Sequence, residues 1–139
     1  MNTTNVIDMA YVFSNCFGLS TLDLSGWNTS NLQDLHNAFE YIQASSLDLS
    51  GWNTSKVTNM SRLFYNLNGT ITINVTGWKV TQVNNYTDMF YGKEPLKQLI
   101  IGTVDDYDSQ EEYDATYRWW CARLSEKSMN CNIINAQIN

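Results

Sequence analysis

The nine residues Leu22–Ser30, LDLSGWNTS, occur again without change at Leu47–Ser55. An identical nine-residue segment within a chain of 139 residues indicates an internal repeat. The same period appears in the tryptophans Trp27, Trp52 and Trp78, which lie 25 and 26 residues apart. It also appears in the phenylalanines, spaced by 26, 25 and 26 residues: Phe13, Phe39, Phe64 and Phe90.

Each repeat contains a short alternating segment between its phenylalanine and its tryptophan. Successive side chains of a strand point to opposite faces, so the two apolar residues should enter the core while the middle residue faces solvent. Ser-Gly or Thr-Gly follows and predicts a turn. The triplets are Leu22–Leu24, Leu47–Leu49, Ile73–Val75 and Leu99–Ile101, of which the last lacks the following Gly-Trp.

The segment before each phenylalanine has the pattern of a short one-sided helix. Apolar residues occupy its positions 1, 4, 7 and 8, as Val57, Met60, Leu63 and Phe64 do in the third repeat. Ser30 precedes one such segment with Gln33 three residues later, which is a capping-box arrangement, and Ser55 and Thr81 hold the same place before the next two. We therefore predict two-turn helices at residues 6–13, 32–39, 57–64 and 83–90.

Neither a three-residue strand nor a two-turn helix buries enough surface alone, but stacked repeats share one core. We predict the α/β class, as a short leucine-rich-repeat-like β/α solenoid with a parallel strand ladder and short helices on the other face. Residues 1–104 would form it, with about three full repeats and a degenerate fourth.

Residues 105–139 are predicted to hold an acidic loop, a capping helix and an Asn/Ile-rich tail. Ser109–Glu112 forms a second capping box. The helix after it should present one face made of Tyr113, Tyr117, Trp120, Cys121 and Leu124 and close the C-terminal end of the repeats. The tail is predicted as a final strand or an extended arm.

The repeat pattern resembles the bacterial surface protein 26-residue repeat, a BspA-type branch of the leucine-rich repeats. Residues 47–64, LDLSGWNTSKVTNMSRLF, carry the best match, and the resemblance extends over about residues 5–102. It implies a curved solenoid with strands on its inner face. It also implies a cell-surface role in adhesion and binding, without catalysis. Members of the family usually carry a signal peptide, a cell-wall anchor and more repeats than are visible in this sequence.

Composition argues against several other classes of protein. A net charge of −6, with eight scattered Lys and Arg residues, does not favour nucleic-acid binding. No apolar run approaches the roughly 20 residues of a membrane-spanning helix, and the N-terminus has no recognisable signal peptide. Three cysteines make an odd count; Cys121 and Cys131 are candidates for a disulfide, and Cys16 is expected as a small buried apolar residue.

Candidate catalytic and metal-binding residues are few. His36 is the only histidine and lies inside a repeat, where a partly exposed structural role is expected. Residues 105–108, DDYD, offer hard oxygen ligands but lack the glycine and the terminal glutamate of a calcium-binding EF-hand. We predict no enzymatic activity, no cofactor and no metal.

Polar side chains on the predicted strands are the best candidates for binding. Because parallel strands lie roughly 5 Å apart, these side chains would form one surface, here called the strand face. The tryptophan row is not part of the strand face, since its rings are expected to stack for structural reasons. Its residues are Thr21, Asp23, Ser25, Ser46, Asp48, Ser50, Thr72, Asn74 and Thr76.

Two functions follow from these features. The first is a non-enzymatic recognition or adhesion module that binds a protein or a glycan through the strand face, extracellular or at a cell surface if the chain is a fragment. The alternative is a structural assembly subunit, such as a phage virion decoration protein or a surface-layer component, virion-associated if full length. Self-association or docking would then use the uncapped N-terminal end of the repeats.

Overall fold

The computed structural model describes residues 2–16, 22–67, 71–92, 96–125 and 132–134. It contains four three-residue strands, β1 (Ser46–Asp48), β2 (Thr72–Asn74), β3 (Gln98–Ile100) and β4 (Asn132–Ile134). A 3-10 helix spans Val104–Asp106, and the α-helix α1 spans Gln110–Ser125. The strands form one parallel sheet in the order β1-β2-β3-β4. The predicted α/β class is therefore confirmed.

The sheet register follows the sequence repeat. Leu47 of β1 lies beside Ile73 of β2, which lies beside Leu99 of β3. These three central side chains are buried, while their strand neighbours are exposed or half-buried. Three of the predicted triplets thus coincide with strands, although each strand begins one residue before its triplet. The triplet at residues 22–24 does not form a strand, but its Leu24 side chain is buried.

The predicted two-turn helices before each phenylalanine are wrong. Residues 6–13, 32–39, 57–64 and 83–90 form turns and isolated parallel bridges that link Asp8, Asp34, Asn59 and Asn85 in series. Each segment contains a residue in the left-handed region, such as Asn37 (φ 58°) and Arg62 (φ 53°), which a right-handed helix does not tolerate.

Backbone hydrogen bonds in these segments run between repeats instead of along a helix. The N–H of Asn37 donates to the carbonyl of Ser61 at 3.0 Å, and that of Phe39 donates to Leu63 at 3.0 Å. These segments thus form a second parallel ladder, separate from the sheet, which runs through the bridges of Asp8, Asp34, Asn59 and Asn85. The apolar spacing predicts a helix, but here it arises from turns, which point a side chain into the core every few residues.

The end of LDLSGWNTS forms an Asx turn and does not begin a helix. The Asn28 side-chain oxygen accepts the N–H of Ser30 at 3.0 Å, and Asn53 does the same for Ser55 at 3.0 Å. Asparagine favours this local bond over helix initiation because its short side chain reaches the backbone two residues on.

Aromatic stacking fills the interior between successive repeats. The phenylalanine rings stack in order, Phe13 on Phe39 at 5.4 Å, Phe39 on Phe64 at 6.0 Å and Phe64 on Phe90 at 5.4 Å. Trp27 stacks on Trp52 at 6.1 Å. The structural interpretation of the tryptophan row therefore agrees with the packing.

Helix α1 is present where the sequence predicts it, although its buried face differs. The Ser109 hydroxyl accepts the N–H of Glu112 at 3.1 Å, which forms half of the predicted capping box. Trp120 is fully buried, with its ring 6.2 Å from Trp78 and 6.1 Å from Phe90. Tyr117, placed by prediction on the same face, is 42% exposed, so that Trp120 and Leu124 form the buried part of the face.

An ion pair joins α1 to the third repeat, because Lys79 Nζ contacts Glu112 and lies 3.1 Å from Asp108. The tail contributes β4, so that the predicted final strand is formed. Among the described residues, no helical segment has the length and apolar character needed to cross a bilayer.

Candidate functional site

The polar residues at the ends of β1 and β2, and the equivalent residue of the first repeat, begin a series of Asx turns. Asp23 Oδ1 accepts the N–H of Ser25 at 3.0 Å and its hydroxyl at 2.7 Å. Asp48 Oδ1 accepts the N–H of Ser50 at 3.0 Å. The turn thus fixes each carboxylate through one oxygen, Oδ1, and presents the other for contacts outside the turn.

The third repeat builds the same turn with an amide. Asn74 Oδ1 accepts the N–H of Thr76 at 3.0 Å and its hydroxyl at 2.6 Å. Asparagine therefore satisfies the local geometry as aspartate does. The negative charge at Asp23 and Asp48 is not needed to make the turn.

Hydrogen bonding also keeps Asp23 ionised. The N–H and the hydroxyl of Ser25 lower the pKa of Asp23 below its ordinary value of 3.8, because both bonds favour the charged carboxylate. Asp23 is therefore negative at neutral pH.

The first two repeats enclose a cleft of about 190 Å³ beside these turns, here called the Asp23–Asp48 cleft. It brings together four of the nine predicted strand-face residues. Its volume is well above that of a single bound water, so it accepts a group of side-chain size. The lining residues are Leu22, Asp23, Leu24, Ser25, Asp48, Ser50, Gly51 and Trp52.

The remaining predicted strand-face residues do not line this cleft. Ser46 is exposed on β1, and Thr72 on β2 pairs with Gln98 at 3.5 Å. Asn74 and Thr76 are occupied with each other. Thr21 lies outside the described residues.

The candidate disulfide is not tested, because Cys131 lies outside the described residues. Cys121 is half-buried on α1 and Cys16 is half-buried after the first repeat segment. Pairing of Cys121 with Cys131 remains a prediction.

Trp52 adds a feature that the sequence does not reveal. The equivalent residue in the next repeat, Trp78, donates its indole N–H to the Leu49 carbonyl at 2.8 Å. The Trp52 side chain is 4% exposed and lines the cleft, yet its indole N–H has no acceptor among the described residues. A buried donor without a partner costs about 1–3 kcal/mol, and because the nitrogen itself is closed to solvent, a group in the cleft does not reach it without rearrangement.

Neither carboxylate of the cleft has a cationic partner. Among the described residues, Lys79 forms ion pairs with Asp108 and Glu112, and the His36 ring contacts the Asp34 carboxylate. Asp23 and Asp48 take part in none of them. The cleft is therefore a site of uncompensated negative charge.

Comparison with known families identifies the repeat region. Residues 1–103 match the family described as Mycoplasma protein of unknown function, DUF285. The chain belongs to this family. No curated protein and no solved structure matched it.

The DUF285 match includes the whole Asp23–Asp48 cleft and ends before α1 begins at Gln110. The cleft is thus built entirely from the DUF285 repeats. The helix lies outside the matched region.

His36, the single histidine of the sequence, belongs to another Asx turn of the DUF285 region. Its Nδ1 lies 2.7 Å from Asp34 Oδ1, which also accepts the His36 N–H at 2.9 Å. The Tyr11 ring meets the imidazole edge-on at 5.3 Å. Among the described residues, no group of three or more His, Cys, Asp and Glu side chains could hold a metal ion.

Proposed function

We propose that this chain is a short leucine-rich-repeat-like solenoid that acts as a non-enzymatic recognition module and binds a protein partner through the strand face. Two observations support the solenoid. Each strand pairs in parallel with the strand of the next repeat, and a second ladder of parallel bridges follows the same order of repeats. The resemblance to BspA-type surface repeats supports a role in adhesion at a cell surface.

One observation carries the binding proposal. The Asp23–Asp48 cleft brings together two exposed carboxylates that have no cationic partner among the described residues. The side chains of Leu22 and Leu24 line the same cleft. The cleft therefore offers a surface for a ligand that supplies positive charge.

An array of surface and extracellular proteins tests this function. Wild-type protein should bind a defined member of the array, and the double variant Asp23→Asn/Asp48→Asn should lose that binding. Because Asn74 makes the same turn in the third repeat, these substitutions preserve the fold. Binding that survives loss of both carboxylates would exclude the cleft as the site.

A second candidate, a structural assembly subunit, is favoured by the first repeat. Ile7, Tyr11 and Val12 are 52%, 54% and 40% exposed there. The N–H groups of Met9 and Tyr11 donate to the second repeat, but the carbonyls of Ala10 and Val12 accept no hydrogen bond from the described residues. Apolar side chains beside open backbone acceptors form an edge suited to docking another chain.

Sedimentation tests this alternative. Concentration-dependent self-association that is lost on Ile7→Glu would support assembly through the first repeat. A monomer at every concentration would count against it.

A further inference from the structure

The first repeat leaves one side of the second ladder open. At each junction between repeats, three alternate carbonyls of the later repeat accept N–H groups of the earlier one. In the second repeat these carbonyls are those of Asp34, His36 and Ala38. The equivalent carbonyls of Asp8, Ala10 and Val12 accept no hydrogen bond from the described residues. This surface, here called the first-repeat edge, consists of Ile7, Asp8, Ala10, Tyr11 and Val12.

The two ends of the phenylalanine stack differ in how they are covered. Phe13 is half-buried, whereas Phe39 and Phe64 are fully buried. At the far end, Trp120 of α1 covers Phe90 with its ring 6.1 Å away. The apolar side chains of the first-repeat edge remain exposed. A segment that supplies N–H groups at alternate residues, as the repeats do, would satisfy the carbonyls and cover these side chains.

A second copy of this chain does not offer a matching surface. Its own first-repeat edge presents the same three carbonyls, and an acceptor does not pair with an acceptor. Its fourth repeat lies against α1, where Trp120 covers Phe90 and Arg123 lies 3.7 Å from the centre of the Tyr86 ring. The complementary segment therefore belongs to a different protein.

Charge specifies that segment further. Asp8 is exposed on the edge and forms no ion pair among the described residues. Residues 1–55 contain no lysine or arginine, so no cation of this part of the chain offsets the charge. A basic segment complements such an edge, and an acidic segment is repelled by it.

We propose that the first-repeat edge binds a segment of a different protein that carries lysine or arginine, continues the second ladder in parallel and covers Phe13. This inference rests on the edge that the second candidate function uses, and it specifies the occupant. It does not depend on the Asp23–Asp48 cleft.

The third repeat supplies a probe of this chemistry. Residues 56–66, KVTNMSRLFYN, form its ladder segment and include a lysine and an arginine. In the protein, the N–H groups of Met60, Arg62 and Phe64 donate to the fourth repeat. Titration of ¹⁵N-labelled protein with this synthetic peptide should shift the backbone amide signals of the first-repeat edge to saturation. The absence of such shifts would overturn the inference.

Two altered peptides separate the causes of binding. Methylation of the Phe64 backbone nitrogen removes one donor and should weaken binding about tenfold or more. The peptide of residues 31–41, NLQDLHNAFEY, is the corresponding segment of the second repeat and carries acidic residues without lysine or arginine. It should also bind about tenfold or more weakly. Full affinity of either altered peptide would overturn the inference.

Protein variants locate the binding. Val12→Ser should weaken the peptide about threefold or more, because apolar contact is lost. Tyr117→Ser is the control, since Tyr117 is similarly exposed on α1, and an equal loss there would overturn the assignment to the edge. Asp8→Asn should weaken binding through loss of charge while it keeps the turn, because Asn59 makes the same turn with Ser61 at 3.0 Å.

Two further measurements separate this inference from the proposed functions. If Asp48→Asn weakens the peptide as Asp8→Asn does, the peptide lies in the Asp23–Asp48 cleft, so the inference falls while recognition through the strand face stands. If the protein self-associates through Ile7 and excess peptide does not disperse the oligomer, assembly stands and the inference falls. If the peptide binds at the edge of a protein that is monomeric at every concentration, self-association fails and the inference stands.

Discussion

At the scale of single residues, the threonine in LDLSGWNTS joins neighbouring repeats. Thr54 is fully buried; its hydroxyl donates to the Lys79 carbonyl at 2.9 Å and accepts the Lys79 N–H at 2.8 Å. Thr29 makes the same pair of contacts with Asn53, and Thr3 with Asn28. A hydroxyl both donates and accepts at one atom, so the threonine side chain meets both requirements of this position.

Replacement of Thr54 by valine should therefore destabilise the protein. The Lys79 carbonyl keeps a second donor, Gln82 Nε2 at 2.8 Å, but the Lys79 N–H loses its acceptor. We expect a loss of about 1–3 kcal/mol in the free energy of unfolding, measured by urea denaturation. Thr58→Val, at an exposed threonine, is the control, and an equal loss there would contradict the bridging role.

Tyr107 gives a prediction that depends on pH. Its hydroxyl donates to the Ile101 carbonyl at 2.5 Å and accepts the Gly77 N–H at 3.2 Å. Burial raises the pKa of Tyr107 from 10.0 to about 12, although the Gly77 N–H lowers it in part. The unfolded chain therefore loses this proton at lower pH than the folded protein does.

Stability linked to Tyr107 should be complete below pH 10 and should be lost as the pH rises to about 12. At neutral pH, Tyr107→Phe should be less stable than the wild type by about 1–3 kcal/mol, because two backbone groups lose their partner. Denaturation at several alkaline pH values should show this difference shrinking. A constant difference up to pH 12 would exclude the linkage.

At the scale of structural elements, left-handed turns take the place of the predicted helices. Arg62 has φ 53° and is exposed, with its guanidinium 4.7 Å from the centre of the Tyr65 ring. The left-handed conformation costs an L-residue roughly 1–2 kcal/mol, and glycine avoids that cost. A helix would show the reverse, since glycine is about 1 kcal/mol less favourable than alanine there.

Comparison of Arg62→Gly with Arg62→Ala separates the two structures. Both variants lose the contact with Tyr65, so their difference reports the backbone alone. We expect the glycine variant to be more stable by about 1 kcal/mol in urea denaturation. If alanine is the more stable, the segment is helical and the turn assignment is wrong.

Helix α1 contributes to the core through Trp120. Trp120→Ala should cost about 3–5 kcal/mol, because it removes a fully buried ring between Trp78 and Phe90. Tyr117→Ala, on the exposed side of the same helix, should cost much less. Thermal unfolding measures both, and equal shifts would show that α1 does not pack on the repeats.

Sequence patterns predict the strands better than the turns. Leu47, Ile73 and Leu99 alternate with polar neighbours, and a period of two has few structural sources. The spacing of Val57, Met60, Leu63 and Phe64 fits a helix as well as it fits a turn with left-handed residues. Nothing in the residue types at Tyr11 or Arg62 signals a positive φ, so this choice is made by packing between repeats.

The candidate site could be predicted only in part. Asp23, Ser25, Asp48 and Ser50 follow from the register of the repeats. The unpaired indole of Trp52 does not, because the identical motif gives Trp27 and Trp52 the same local sequence and Trp78 nearly the same. Only the position of Trp52 within the stack separates it from Trp78, whose indole has an acceptor.

At the scale of the whole molecule, identical repeats give unequal surfaces. The same Asx turn occurs three times, yet only the first two repeats place carboxylates there, and these two enclose the cleft. The repeats build the core and the ladders, and a difference of one residue type confines these turn carboxylates to the first two repeats. We expect partner recognition to lie at those two repeats.

A crystal structure of the protein with the partner that the array identifies tests this central claim most directly. We predict that the partner lies in the Asp23–Asp48 cleft and contacts both carboxylates. A partner bound elsewhere, with the cleft empty, would contradict the account.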